Sequence, residues 1–338
     1  MDERKDFMFS RKDLQRLIIP LIVEQFLSIT IGMADTVMVS VCGEAAVSGV
    51  SLVDAINILM INIFSALATG GAIVSSQYIG REDLGKACEA AKQLVLAVFV
   101  LSTAIGAIFV FGGPQVLGLL YHDIESDVMA SAESYFFLTA LSYPFIALYN
   151  AGAALFRAMG NSKVSMTISI VMNCINIGGN ALFIFGFDMG AAGAGLATFL
   201  SNCVACLYFF VLLYVKRGRT YVSIHPKMYR WKKEIVLGVF GVGVPASIQN
   251  LLNVTGMTVL NNFTAGFGAD AVAAMGITQK INMVPMQISM GLSQGIMPLI
   301  SYNYASGNIR RMKKTFLFAA RIALVFLVLM EVAYFAGA

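Results

Sequence analysis

The 338 residues are 58% hydrophobic and 12% charged, with a formal net charge of +4. Ordinary soluble domains carry about 25% charged residues, so the composition excludes one and leaves a polytopic membrane protein of all-α class. The only histidines, His122 and His225, sit in predicted loops on opposite sides of the membrane, and there is no P-loop. Neither an enzyme nor direct ATP drive is therefore expected.

Apolar stretches of about 20 residues cross a bilayer as helices. Nine are read, over 14–41, 45–79, 90–112, 132–156, 163–186, 190–215, 235–264, 269–303 and 315–336. The first is too long for a cleavable signal, and Glu24 and Asp35 interrupt it. The second carries Asp54 and the small pair Ala66/Gly70. The fourth is aromatic, with Tyr135, Phe136, Tyr143 and Tyr149 among its residues. The fifth and sixth carry polar stripes. Cys203 and Cys206 form a CxxC inside the sixth, where inert packing is expected rather than redox chemistry. The eighth is Met-rich, including Met283, Met286 and Met290, and it holds Lys280 and the small pair Gly291/Gly295. Small residues four apart let helices cross closely. Aromatic and Met-rich walls suit lipophilic cations and equally suit plain packing. Tyr143 and Met286 are the candidate substrate contacts from these two helices.

Charge orients the helices. Of the 23 Lys and Arg, 22 fall at one end: Arg4 to Arg16, Arg81 to Lys92, Arg157 and Lys163, Lys216 to Lys233, and Arg310 to Arg321. Lys280 is the exception, and the opposite loops carry acids such as Glu44, Asp123 and Asp188. The positive-inside rule places the N-terminus in the cytoplasm of a cell inner (plasma) membrane protein. The basic excess reflects this bias, so the bilayer is an expected partner and nucleic acid is not.

A shift of 225 residues (245 − 20) superimposes Pro20 on Pro245, Leu27 on Leu252, Thr30 on Thr255, Gly43 on Gly268, Ile56 on Ile281, Gly70 on Gly295 and Ser76 on Ser301. Internal repeats in a membrane chain mark a transporter. Six helices precede Pro245, an even number, so the copies are parallel repeats. The expected organisation is an N-terminal six-helix lobe over 1–215, a cytoplasmic linker over 216–234 resembling a short interfacial helix, and an incomplete C-terminal lobe over 235–338. A full second copy would reach about residue 440, so three further helices are expected past Ala338.

Ionisable groups at bilayer depth mark a pathway, a relay or an internal pair. Glu24 and Asp35, 11 residues apart, lie about 20° apart around a helix turning 100° per residue, with Ser28 on the same face. Asp35 becomes Leu260 in the second copy. Asn173, Asn176 and Asn180 share one face of the fifth helix, and Thr198, Ser201 and Asn202 stripe the sixth. Their oxygens around one carboxylate suit a proton or a hard monovalent cation such as Na⁺, and they also suit interhelical hydrogen bonding. Asp54 aligns with Gln279, beside Lys280, which suggests an ion pair between the lobes.

Met33-Ala-Asp35-Thr-Val-Met38, Ser75-Ser-Gln-Tyr-Ile-Gly80, Arg157-Ala-Met-Gly-Asn161, Asn176-Ile-Gly-Gly-Asn180, Gly193-Ala-Gly-Leu-Ala-Thr198 and Pro298-Leu-Ile-Ser-Tyr-Asn-Tyr304 together resemble the multidrug and toxic compound extrusion (MATE) transporters. The resemblance implies a twelve-helix, two-lobe antiporter that exports cationic or amphipathic compounds against H⁺ or Na⁺, as a monomer and with no other cofactor. It implies an N-lobe cation site of Asp35, Asn176, Asn180 and Thr198, with Na⁺ as one candidate occupant. It also shows two departures. Asn180 stands where many relatives have Asp, and Asn253 where some have Glu. The alternatives weighed are a lipid-linked saccharide flippase of the same superfamily, a lipid-modifying membrane enzyme, and a non-functional truncated product.

Overall fold

The computed structural model describes residues 11–121, 124–215, 222 and 232–337. These form nine α-helices and no strand: α1 (Arg11–Ser40), α2 (Glu44–Gly80), α3 (Leu84–Leu120), α4 (Ser126–Ala158), α5 (Ser162–Asn180), α6 (Gly190–Phe210), α7 (Lys233–Ala265), α8 (Ala269–Ala305) and α9 (Ile309–Gly337). Wider π-helical turns continue α5 over Ala181–Gly186 and α6 over Val211–Val215. Most of the linker expected over 216–234 lies outside the described residues.

Among the described residues, eight helices are long and apolar enough to cross a membrane. The ninth, α8, is not, because Gln279, Asn282, Gln287, Ser293 and Gln294 dilute it. Several helices outrun their apolar stretches. α3 has 37 residues, about 55 Å at 1.5 Å per residue, against a hydrocarbon core of about 30 Å. Its polar start stays helical because Asp83 caps it, accepting the Lys86 N–H at 3.0 Å. That bond, assisted by the Lys86 ammonium, holds the Asp83 carboxyl below the usual range.

The backbone repeats with the same offset as the sequence. α2 and α8 are each 37 residues long and begin 225 residues apart (269 − 44). α1 and α7 end 225 apart, at Ser40 and Ala265, and α3 and α9 begin 225 apart, at Leu84 and Ile309. The turns agree as well. Gly43 (φ 98°, ψ 169°) and Gly268 (φ 100°, ψ 174°) precede α2 and α8 in a conformation that L side chains rarely adopt.

The densest packing joins α2, α3 and α4, where Phe64, Leu94, Phe136 and Tyr143 are fully buried. With lipid outside, such packing is held by dispersion and shape rather than by escape from water. The repeats meet through their small residues. A Cβ on Gly70 of α2 would lie 2.8 Å from the Gly243 amide nitrogen of α7, so the two backbones all but touch. Gly291 and Gly295 of α8 receive the side chains of Gln25 and Leu21 from α1. Ser301 Oγ of α8 donates to the Ile73 carbonyl of α2 at 3.3 Å, toward the end that carries the basic residues.

Candidate functional site

α1 and α5 bring Asp35 and Asn180 together, 145 positions apart in the chain. Asn180 Nδ2 donates to Asp35 Oδ1 at 2.5 Å and more weakly to Asn176 Oδ1 at 3.4 Å. Asn176 Nδ2 donates to Thr198 Oγ1 of α6 at 3.2 Å, and Asn202 Nδ2 to the Thr198 carbonyl at 2.8 Å. The spacing of Asn173, Asn176 and Asn180 puts all three on the buried face of α5, at 8%, 6% and 1% exposure. Asn180 Oδ1 is buried and has no hydrogen-bond partner among the described residues. An orphaned amide oxygen normally costs free energy. Beside a carboxylate, it is an acceptor held ready for a cation or a proton donor. No three His, Cys, Asp or Glu side chains converge among the described residues, so a cation held here would lean on amide and hydroxyl oxygens.

Glu24 sits on the same face of α1, nearer the basic end. It is 8% exposed and takes a hydrogen bond from Ser165 Oγ at 3.1 Å and a longer one from Tyr149 Oη at 3.5 Å. Arg157 Nη1 lies 3.9 Å from its Oε1. From sequence, Arg157 belongs to the cytoplasmic charge set. In the fold its guanidinium turns inward and the residue is only 6% exposed. Nothing local signals this, since a basic residue in a helix's last turn is ordinary.

Asp54 is held within its own lobe. Tyr135 Oη donates to its Oδ1 at 3.0 Å and Asn57 Nδ2 at 3.4 Å, while Tyr143 Oη donates to Asn57 Oδ1 at 2.9 Å. The pairing expected with Lys280 falls on a side chain outside the described residues. Tyr143 is fully buried, edge-on to Phe64 and Phe109. Met286 is 49% exposed. Neither Tyr143 nor Met286 lines the two cavities described next. The tyrosine–Asp54 network escaped the sequence because its members lie 81 and 86 positions apart.

A cavity of about 430 Å³ runs from Asp35 to Glu24 and Arg157, with Gln287, Met290 and Gln294 of α8 among its walls. A second, of about 350 Å³, shares Asp35, Ser28 and Thr198 with the first and reaches Asp54, Tyr135 and Asn180. Both fall within the size range of small-molecule sites.

The MatE family model matches residues 20–182 and 245–338. The two matches begin at Pro20 and Pro245, the residues that open the internal repeat. The chain is 28% identical over 328 residues to multidrug export protein MepA of Staphylococcus saprophyticus subsp. saprophyticus, covering 96% of this chain and 72% of that one. Against MepA of Staphylococcus aureus it is 27% identical over 304 residues, covering 89% of this chain and 66% of that one. The chain thus spans about two-thirds to three-quarters of the length of these relatives. Among solved structures, MATE in the bent conformation aligns with a TM-score of 0.88 at 23% identity, covering 96% of this chain and 71% of that one.

Proposed function

Because the chain belongs to the MatE family, we propose that it works as a secondary active exporter of small cationic or amphipathic compounds, driven by inward H⁺ or Na⁺. The similarity to the multidrug export protein MepA supports this reading. The observation that carries it is the cluster of Asp35, Asn180, Asn176 and Thr198 opening onto a cavity between the repeats.

Asp35 and its amide neighbours take up the proton or Na⁺ from outside, and the orphaned Asn180 oxygen completes the cation's shell. Neutralising Asp35 weakens its hold on a cationic compound in the adjoining space, which leaves outward. Release of the ion to the cytoplasm restores the carboxylate. α1 is the element that must respond, since it carries Asp35 and Glu24 and packs on both α5 and α8. The N-terminus is cytoplasmic in this scheme, the membrane is the cell inner (plasma) membrane and the exporter acts as a monomer. A lipid-linked saccharide flippase is the weaker reading. Arg157 is the one basic residue among the described lining of either cavity, and Glu24 already faces it.

The test is substrate efflux from proteoliposomes under an imposed pH or Na⁺ gradient. The wild-type protein should export a cationic dye under one gradient. Asp35→Asn should insert normally and lose at least about tenfold of the rate, as expected if a group essential to the cycle is gone. Undiminished export by Asp35→Asn would refute the role of the cluster.

A further inference from the structure

The second cavity is lined by two carboxylates, those of Asp35 and Asp54, and no Lys, Arg or His is among its described lining residues. Glu24, in the adjoining cavity, differs because it has Arg157 beside it. Asn180, 1% exposed, lines the same cavity; its Nδ2 is engaged with Asp35, and its Oδ1 has no hydrogen-bond partner among the described residues. Tyr135 and Asn57 both bond Oδ1 of Asp54.

The second repeat serves as an internal control. At the positions equivalent to Asp35 and Asp54 it carries Leu260 and Gln279, and Gln279 Nε2 donates to Asn261 Oδ1 at 2.7 Å. The same helical hairpin, with the same ends and the same glycine turn, is built there without either charge. The fold therefore does not require the acids. Two like charges facing one low-dielectric space destabilise each other and cannot both stay bare. With no cationic side chain among the described lining residues, their occurrence in the first repeat alone points to positive charge taken up from outside.

We propose that Asp54 is a second cation-carrying carboxylate, so that this cavity takes up two monovalent cations, H⁺ or Na⁺, for each monocation exported. The proposal rests on the exporter reading above. Tyr135 acts as a positioning residue, fixing one oxygen of Asp54. The charge balance follows. Two positive charges enter, one leaves with the exported compound, and each cycle moves one net positive charge inward. A membrane potential, negative inside, must then drive export by itself. A one-for-one exchange would be electroneutral and blind to that potential.

The experiment uses proteoliposomes with ethidium, a fluorescent monocation, and equal H⁺ and Na⁺ on both sides. A potassium–valinomycin potential, negative inside, is then imposed. Wild-type protein should move ethidium outward against its own electrical gradient. Asp54→Asn should still exchange ethidium under a pH or Na⁺ gradient but lose the response to potential, its cation-to-ethidium ratio falling from two to one. Asp54→Glu keeps the carboxylate and should keep the voltage response, whereas Tyr135→Phe, which removes a hydrogen bond to Asp54 Oδ1, should weaken it. A wild-type protein indifferent to potential, or Asp54→Asn responding as wild type does, overturns the proposal. If Asp54→Asn no longer exchanges at all, Asp54→Glu decides: a restored voltage response supports the assignment and a dead Asp54→Glu overturns it. No ethidium movement by wild type under any gradient would instead defeat the exporter reading itself.

Discussion

Glu24 and Arg157 form a buried pair in which each charge answers for the other. Their side chains are about a tenth exposed or less, and Ser165 and Tyr149 complete the carboxylate's shell. Such a pair need not stabilise a fold against an apolar replacement, but breaking it strands one charge, at a cost of about 3–5 kcal/mol. Arg157→Met should therefore lower the thermal unfolding temperature in detergent markedly. The double variant Glu24→Gln/Arg157→Met should recover most of the loss. A double variant no better than Arg157→Met alone would show that the two groups are not coupled. The pair also explains why Glu24 and Asp35, on one face of one helix, have different chemistry. One has a cation beside it, and the other shares its cavity with amides, a hydroxyl and a second carboxylate, Asp54.

At the scale of the helix, the repeat yields a matched pair of tests. Gly43 and Gly268 hold almost the same backbone conformation, and a Cβ on either would meet nothing within 4 Å. Any penalty for alanine there is backbone strain alone, on the order of 1–3 kcal/mol. Gly43→Ala and Gly268→Ala should each destabilise by similar amounts and add when combined, as distant sites do to within about 0.5 kcal/mol. Thermal or denaturant unfolding in detergent measures this, and clearly unequal losses would contradict a shared backbone unit. Gly70 fails for another reason. Its backbone is ordinary helix, but a Cβ would drive into the Gly243 backbone, so Gly70→Ala has to separate α2 from α7.

In the whole molecule, α2 and α8 touch near the basic end through Ser301 and the Ile73 carbonyl, while the cavities reach toward Asp35 and Asp54. If the export cycle proposed above exposes the cavity alternately to the two sides of the membrane, that contact has to open. Cysteines placed at Ile73 and Ser301, in a background lacking the five native free thiols, and joined by a short bifunctional thiol reagent, should stop dye export. A reducible linker should return it on reduction. Export that continues through the cross-link would mean that the repeats do not part there during the cycle.

The membrane class, the repeat and its offset, and the common face of the Asn stripe on α5 follow from the chain alone, because hydropathy and the 3.6-residue period are local properties. Asp35 was legible for the same reason, as a charge set in an apolar helix and missing from the second copy. Helix ends were read less well, since a helix continues past its apolar stretch wherever polar groups can reach water or headgroups. Three things were decided by tertiary structure: Arg157 turning inward onto Glu24, Tyr135 reaching Asp54 across 81 positions, and Gly70 meeting Gly243 rather than a neighbour in sequence. Each depends on how one helix is rotated against another. That rotation is set by interlocking surfaces distant in sequence, which no window along the chain records.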